Sequence, residues 1–252
     1  KDWIKKGELV AGTYKTESQN TKLLANMGAK LIHCDLSKEI SIDKALKNFD
    51  FNEYWSTLTF ATGSLSPIGK FEALNIKSWS ESIDVNFKNQ LYILHKLLPF
   101  KDHESSVLFF AGGGTNSATE RFSAYTVSKI ALIKMVELLD AEIPSVSFSI
   151  LGPGWVDTKI HESTIHAKDK AGEDYARTLS MLENEGDKCY PMSKVIECCN
   201  WIHSSPRDLV SGRNFSAVYD PWESNRISEI VNFKDVFKLR RNGNDFFKKD
   251  EK

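Results

Sequence analysis

The chain has 252 residues, 41% hydrophobic and 27% charged, enough for one sizeable core in a single α/β domain or two small ones. Lys and Arg number 33 against 34 Asp and Glu, and the resulting net charge of -1 gives no overall pull toward nucleic acid or anionic membrane. No apolar run approaches the length of a bilayer, and the basic start at Lys1 to Lys6 leads into no signal-peptide core, so a cytoplasmic protein without a membrane partner is expected.

Lys1 to Gly7 reads as the tail of a helix, and Leu9 to Tyr14 as a short apolar strand. Gln19 to Met27 is a predicted helix closed by Gly28, followed by a strand over Lys30 to Cys34. Ser41 to Phe49 is helical with Ser41 as its cap; the third residue on is Lys44, so there is no capping box. Trp55 to Ala61 is a strand with Gly63 at its end, and Trp79 to Leu98 a long amphipathic helix stopped near Pro99. Ser106 to Phe110 is a strand entering Gly112-Gly-Gly, and the helix beginning near Tyr125 runs to about Ala141. Val146 to Leu151 is a strand leading to Gly152-Pro-Gly154, Pro191 to His203 a helix, and Asn214 to Val218 a last strand.

Short apolar strands alternating with helices predict a doubly wound, mostly parallel sheet with helices on both faces, in one domain. The end, Phe237 to Lys252, is basic and polar and is expected to fray after Arg241. Four cysteines without a CxxC pair read as free thiols, and the strand neighbours His33 and Cys34 face opposite ways, so no metal site is expected.

The run Tyr125-Thr-Val-Ser-Lys129 carries chemistry. It opens an apolar helical segment, so phenol and ammonium stand one turn apart on the same side. A cation beside a tyrosine favours the anionic form, and such a tyrosine can give or take a proton at a carbonyl or alcohol oxygen.

With this pair in place, the chain resembles the short-chain dehydrogenase/reductase family over about residues 1 to 220, an NAD(P)-binding Rossmann-like fold. The family's Tyr-x-x-x-Lys falls on Tyr125 and Lys129, and its active-site asparagine on Asn86 of the long helix. Its Pro-Gly motif falls on Pro153 and Gly154, its Val-x-Thr on Val156 and Thr158, and its adenine-contacting aspartate on Asp35, followed by Leu36. Where the family carries Asn-Asn-Ala-Gly, this chain has Phe60-Ala61-Thr62-Gly63, in which Ala61 and Gly63 still let a cofactor approach.

The resemblance implies hydride transfer between nicotinamide and a carbonyl or alcohol. In that scheme Tyr125 protonates the alkoxide, Lys129 holds the ribose, Asn86 anchors a water, and Val156 and Thr158 hold the carboxamide. It also implies a substrate lid over 159–190 and a homodimer or homotetramer built on the two long helices; residues 221–252, beyond the resemblance, are read as a C-terminal extension. The tail Val218 to Trp222 and Phe237 to Arg241 resembles members linked to surface-polysaccharide or sugar-nucleotide metabolism.

In the family it resembles, the residues after the second strand choose the cofactor, and here they are Gly12-Thr-Tyr14-Lys15-Thr16. Lys15 can pair with a 2'-phosphate, Thr16 can add a hydrogen bond and Tyr14 can pack near adenine, which favours NADP over NAD. Two departures from the family stand out. No Gly-rich turn precedes β-forming Leu9, so about 15 to 20 residues with a central strand are expected upstream of Lys1. The family's catalytic serine position is Gly112; Thr115, Ser117, a substrate hydroxyl or a water could stand in. That absence motivates the rival reading, a noncatalytic or weakly active dinucleotide-binding regulatory protein; a structural partner in a hetero-oligomer is a third.

Overall fold

Alternating strands and helices build a parallel sheet in the computed structural model, which describes residues 1–49, 54–183 and 189–243. A short α1 (Asp2–Lys5) precedes β1 (Ala11–Tyr14), α2 (Gln19–Asn26), β2 (Lys30–His33), α3 (Glu39–Lys47) and β3 (Trp55–Phe60). Next come α4 (Ile76–Ile83), a π-helical turn at Asp84–Lys88, α5 (Asn89–Leu97), β4 (Lys101–Phe110), α6 (Ser123–Glu142) and β5 (Val146–Gly152). The chain continues through α7 (Glu162–Ala167), α8 (Glu173–Glu183), α9 (Met192–Ser204), α10 (Arg207–Val210) and β6 (Arg213–Ser216).

Every strand pairing is parallel: β1 with β2, and β3, β4, β5 and β6 in that order. The first two predicted strands therefore run in parallel as expected. β1 and β3 are not hydrogen-bonded to each other, so the sheet is in two parts. Side chains bridge them: Tyr92 Oη donates to Asp43 at 2.7 Å, Lys88 pairs with Glu39 at 3.1 Å, and Asn89 Nδ2 donates to the Leu36 carbonyl at 2.6 Å.

Successive residues of a strand face opposite sides, and β4 uses both. Val107 and Phe109 join Phe60, Phe148 and Ile150 beneath Leu94, Leu132 and Val136 of α5 and α6. Leu108 turns the other way, with Leu151, to meet Val195, Cys198 and Ile202 of α9. Each large apolar side chain buried this way contributes roughly 1.5–3 kcal/mol. Two covered faces explain why the strands read as continuous apolar runs. Cys34 and Cys198 are buried free thiols.

Several boundaries differ from the sequence reading. The long helix starts at Ile76, not Trp79, because the Asn75 side chain caps it, accepting from Lys77 N at 3.0 Å and Ser78 N at 3.1 Å. α3 begins at Glu39, and Ser41, the expected cap, instead accepts from Asp35 N at 2.9 Å. A reciprocal Ser18–Thr21 capping box starts α2. The segment after residue 220 shares the main core: Trp222, Ile227 and Ile230 are buried, and Arg213 donates to the carbonyls of Ile230, Phe233 and Val236. The expected fraying beyond Arg241 falls mostly at 244–252, outside the described residues, as does 184–188 of the expected lid.

Candidate active site

Ligands of open α/β sheets bind at the carboxyl ends of the strands. A cleft of about 780 Å3 lies there, lined by Thr13, Tyr14, Lys15, Asp35, Leu36, Ala61, Thr62 and Gly63 among others. The Lys15 ammonium stands 3.2 Å from the Asp35 carboxylate, with the lysine largely exposed. Burial alone would raise the Asp35 carboxyl, but bonds from the Ser37 amide and hydroxyl and from Lys15 outweigh it and hold the pKa below its ordinary value. Tyr14 packs edge-on against His33 with centroids 5.8 Å apart. Thr16 is exposed and does not line this cleft, contrary to expectation, because β1 ends at Tyr14 and the chain turns outward toward α2.

Asn86, Lys129 and Tyr125 gather on the loop after β3. Asn86 is completely buried in the π-helical turn, a feature frequent at functional sites. Its side-chain oxygen accepts from Ser64 N at 2.8 Å, and its amide donates to Ser64 O at 2.9 Å and Ser82 Oγ at 3.1 Å. Its own carbonyl accepts from Gln90 Nε2 at 2.9 Å. Asn86 therefore splints Ser64, and the water-anchoring role expected for it finds its side chain already committed. Lys129, 2% exposed, donates to Phe110 O at 2.8 Å and Thr62 O at 3.2 Å. Tyr125 lies across Gly63: a Cβ on that glycine would sit 3.7 Å from the tyrosine Cε2, 3.9 Å from Lys129 Nζ and 3.4 Å from Ile160 Cδ1.

The electrostatics correct one sequence expectation. Burial pushes the Tyr125 phenol up to about 12 and the Lys129 ammonium down to about 8. The ammonium is 5.8 Å from the ring centroid and is bonded to carbonyls, so desolvation prevails over the expected lowering of the phenol pKa. Neither Thr115 nor Ser117 is hydrogen-bonded to Tyr125 among the described residues.

The Pro153–Thr158 segment does not line the main cleft. Gly154 has φ +78°, and a Cβ there would collide with Val218 Cγ2, so this turn requires glycine. Val156 is buried in the core, and its carbonyl bonds the His161 ring at 3.0 Å. Thr158 lines a second cavity of about 450 Å3 with Lys159, His161, Glu162 and His166. The segment returns to the site through Ile160, which sequence reasoning missed; an isoleucine two residues past Val-x-Thr carries no chemical signal. Gln90 and Ser64 were missed as well, although Gln90, one turn after Asn86 on the same face, was findable.

A dinucleotide fits what these residues offer: the cleft volume is that of a cofactor site, Lys15 presents a cation at its wall, and Gly63 keeps one backbone stretch open. Asn89 Oδ1 and Gln90 Oε1 are buried acceptors without a partner, on amides whose nitrogens bond Leu36 O and Thr62 O in the cleft wall. A doubly wound parallel sheet with such a cleft defines a Rossmann-like, dinucleotide-binding class of protein.

Residues 2–216 match the family model described as Enoyl-(Acyl carrier protein) reductase. An uncharacterized oxidoreductase of Staphylococcus epidermidis is 29% identical over 145 residues, 55% of this chain and 62% of the relative. The short chain dehydrogenase pgmD of Aspergillus terreus is 23% identical over 213 residues, 78% of this chain and 62% of that one. The chain thus spans 62% of the length of these two relatives. A short chain dehydrogenase/reductase structure from Saccharomyces cerevisiae superposes with a TM-score of 0.71 at 19% identity, covering 90% of this chain and 92% of that one. One from Shigella flexneri, complexed with NADP, gives 0.67 at 14% identity over 82% and 85%. The chain belongs to the short-chain dehydrogenase/reductase family. No helix among the described residues is long and apolar enough to cross a membrane.

Proposed function

We propose that the chain is an NADP-dependent oxidoreductase that interconverts a small carbonyl compound and its alcohol, with Tyr125 transferring the proton. The observation that carries this reading is the convergence of Tyr125, Lys129 and Asn86 on the Thr62–Ser64 loop at the wall of the main cleft. The bound cofactor supplies or accepts the hydride. In reduction, Tyr125 Oη gives its proton to the substrate oxygen as negative charge develops there. A phenol held near 12 is protonated at neutral pH, the form that donation requires. Lys129 holds the loop through the Thr62 carbonyl, and Asn86 holds it through both backbone groups of Ser64.

Lys15 supports the phosphorylated cofactor, as does the Shigella flexneri relative with NADP; a 2'-phosphate would share or replace the Asp35 partner. NAD is the alternative. The relatives named above lend no support to a sugar-nucleotide substrate, and the substrate is defined here by its carbonyl alone. Val127 and Leu138, exposed on α6, support an isologous dimer through that helix. The lack of backbone pairing between β1 and β3 favours a further parallel strand between them, carrying the Gly-rich pyrophosphate turn that the described residues do not supply.

Steady-state NADPH oxidation over a panel of aldehydes and ketones tests the reading. Tyr125→Phe should lower turnover at least about a hundredfold while NADPH affinity stays nearly intact. A mutant as active as the parent would end it. Gly112, at the position of the family's serine, favours the second reading, a dinucleotide binder without catalysis. That reading expects NADPH binding with no turnover of any panel member.

A further inference from the structure

The family resemblance places a serine at residue 112, where this chain has glycine. Gly112 is not among the residues of positive φ, so its backbone does not call for glycine. What the glycine provides is space. A Cβ at this position would lie 2.6 Å from Tyr125 Cε1, 2.6 Å from its Oη and 2.7 Å from its Cζ. All three atoms belong to the outer end of one phenol ring, which fills the volume that any side chain at 112 would need. At the neighbouring Gly113, by contrast, a Cβ would meet only Thr119 Oγ1 at 3.9 Å. The ring is thereby held between two glycines, 112 and 63, and its hydroxyl has no hydrogen-bond partner among the described residues.

We infer that Gly112 is a positioning residue for Tyr125: the missing side chain lets the phenolic oxygen stand where the family's serine would be, so one oxygen serves the substrate carbonyl. The inference rests on the reading of Tyr125 as the proton-transfer residue. It makes the absence of the serine a packing requirement of this site and not merely a loss. Restoring the serine would add a hydroxyl but turn the ring away from its present place against Gly112, because two groups cannot share one volume.

The test combines a double-mutant cycle with kinetics. Parent, Gly112→Ser, Tyr125→Ala and the double variant are unfolded in urea, with Gly112→Ala as a smaller probe carrying the same Cβ. The glycine substitutions should lower the urea midpoint when Tyr125 is present and leave it unchanged when residue 125 is alanine. With NADPH and a carbonyl that the parent reduces, Gly112→Ser and Gly112→Ala should each lower kcat at least about tenfold, with KM for NADPH within about twofold. An equal midpoint loss in both backgrounds overturns the inference. So does a Gly112→Ser enzyme faster than the parent, or one well above Gly112→Ala, since either would mean that a serine hydroxyl is used. If the parent turns over no carbonyl, the proposed activity fails, and the unfolding cycle still decides whether Gly112 sets the place of the ring.

Discussion

Asn86→Ala removes the side chain that ties the π-helical turn to the loop after β3. Three bonds go with it: from Ser64 N at 2.8 Å, to Ser64 O at 2.9 Å and to Ser82 Oγ at 3.1 Å. A buried group left unpaired costs about 1–3 kcal/mol. The Ser82 hydroxyl oxygen loses one donor but keeps its own O–H free to bond elsewhere, and Ser64 is only half-buried, so water relieves part of its loss. The two backbone groups of Ser64 then set a total near 2–4 kcal/mol, the lower end being favoured by that relief. Urea unfolding followed by tryptophan fluorescence reads the global loss, with an unchanged slope indicating that only stability moved. Amide exchange reads the local one: the Ser64 amide should exchange about 30-fold faster for a local loss of 2 kcal/mol. NADPH affinity should weaken too, because Gly63, the neighbour of Ser64, lines the cleft. A loss below about 1 kcal/mol, or a Ser64 amide exchanging at the parental rate, would refute the splint.

His203 bridges Thr59 Oγ1 at 3.0 Å and Ser106 Oγ at 2.9 Å, and burial pushes its pKa down from 6.5 to about 4. The unfolded chain binds this proton first as pH falls, so the stability is fully present above 6.5 and is lost on descending to about 4, by roughly 3 kcal/mol. His203→Gln should flatten the melting temperature across that window; an unchanged slope would contradict the assignment. Lys15→Glu should weaken NADPH binding about tenfold or more and lower stability by roughly 1 kcal/mol, since the exposed lysine is replaced by a carboxylate facing the mostly buried Asp35 side chain. Tighter binding of NADH than NADPH by the parent at physiological salt would count against NADP preference. Light scattering should give a dimer for the parent and a monomer for Val127→Glu; a parental mass of 28.5 kDa at micromolar concentration would defeat the proposed interface.

The sequence by itself determined the alternation of strands and helices, the parallel sheet, and the placing of Tyr125 and Lys129 one turn apart. These depend on periodicity and on residues close together in the chain, so they are legible without knowing what packs where. Asn86 was recognisable as a residue type in a helix, but its commitment to Ser64 was not, because the π-helical turn and the loop after β3 meet only in three dimensions. The direction of the Tyr125 shift was misread for the same reason: a neighbouring lysine is visible in sequence, whereas desolvation depends on Gly63, Gly112, Ile160 and the rest of the fold closing around the ring. Thr16 looked like a cofactor ligand by proximity to Lys15, yet the end of β1 turns it to the surface. The division of the sheet between β1–β2 and β3–β6 was likewise decided only by tertiary structure. Strand pairing is made by backbone groups far apart in sequence, and local propensity says that a strand forms without saying beside which neighbour it lies.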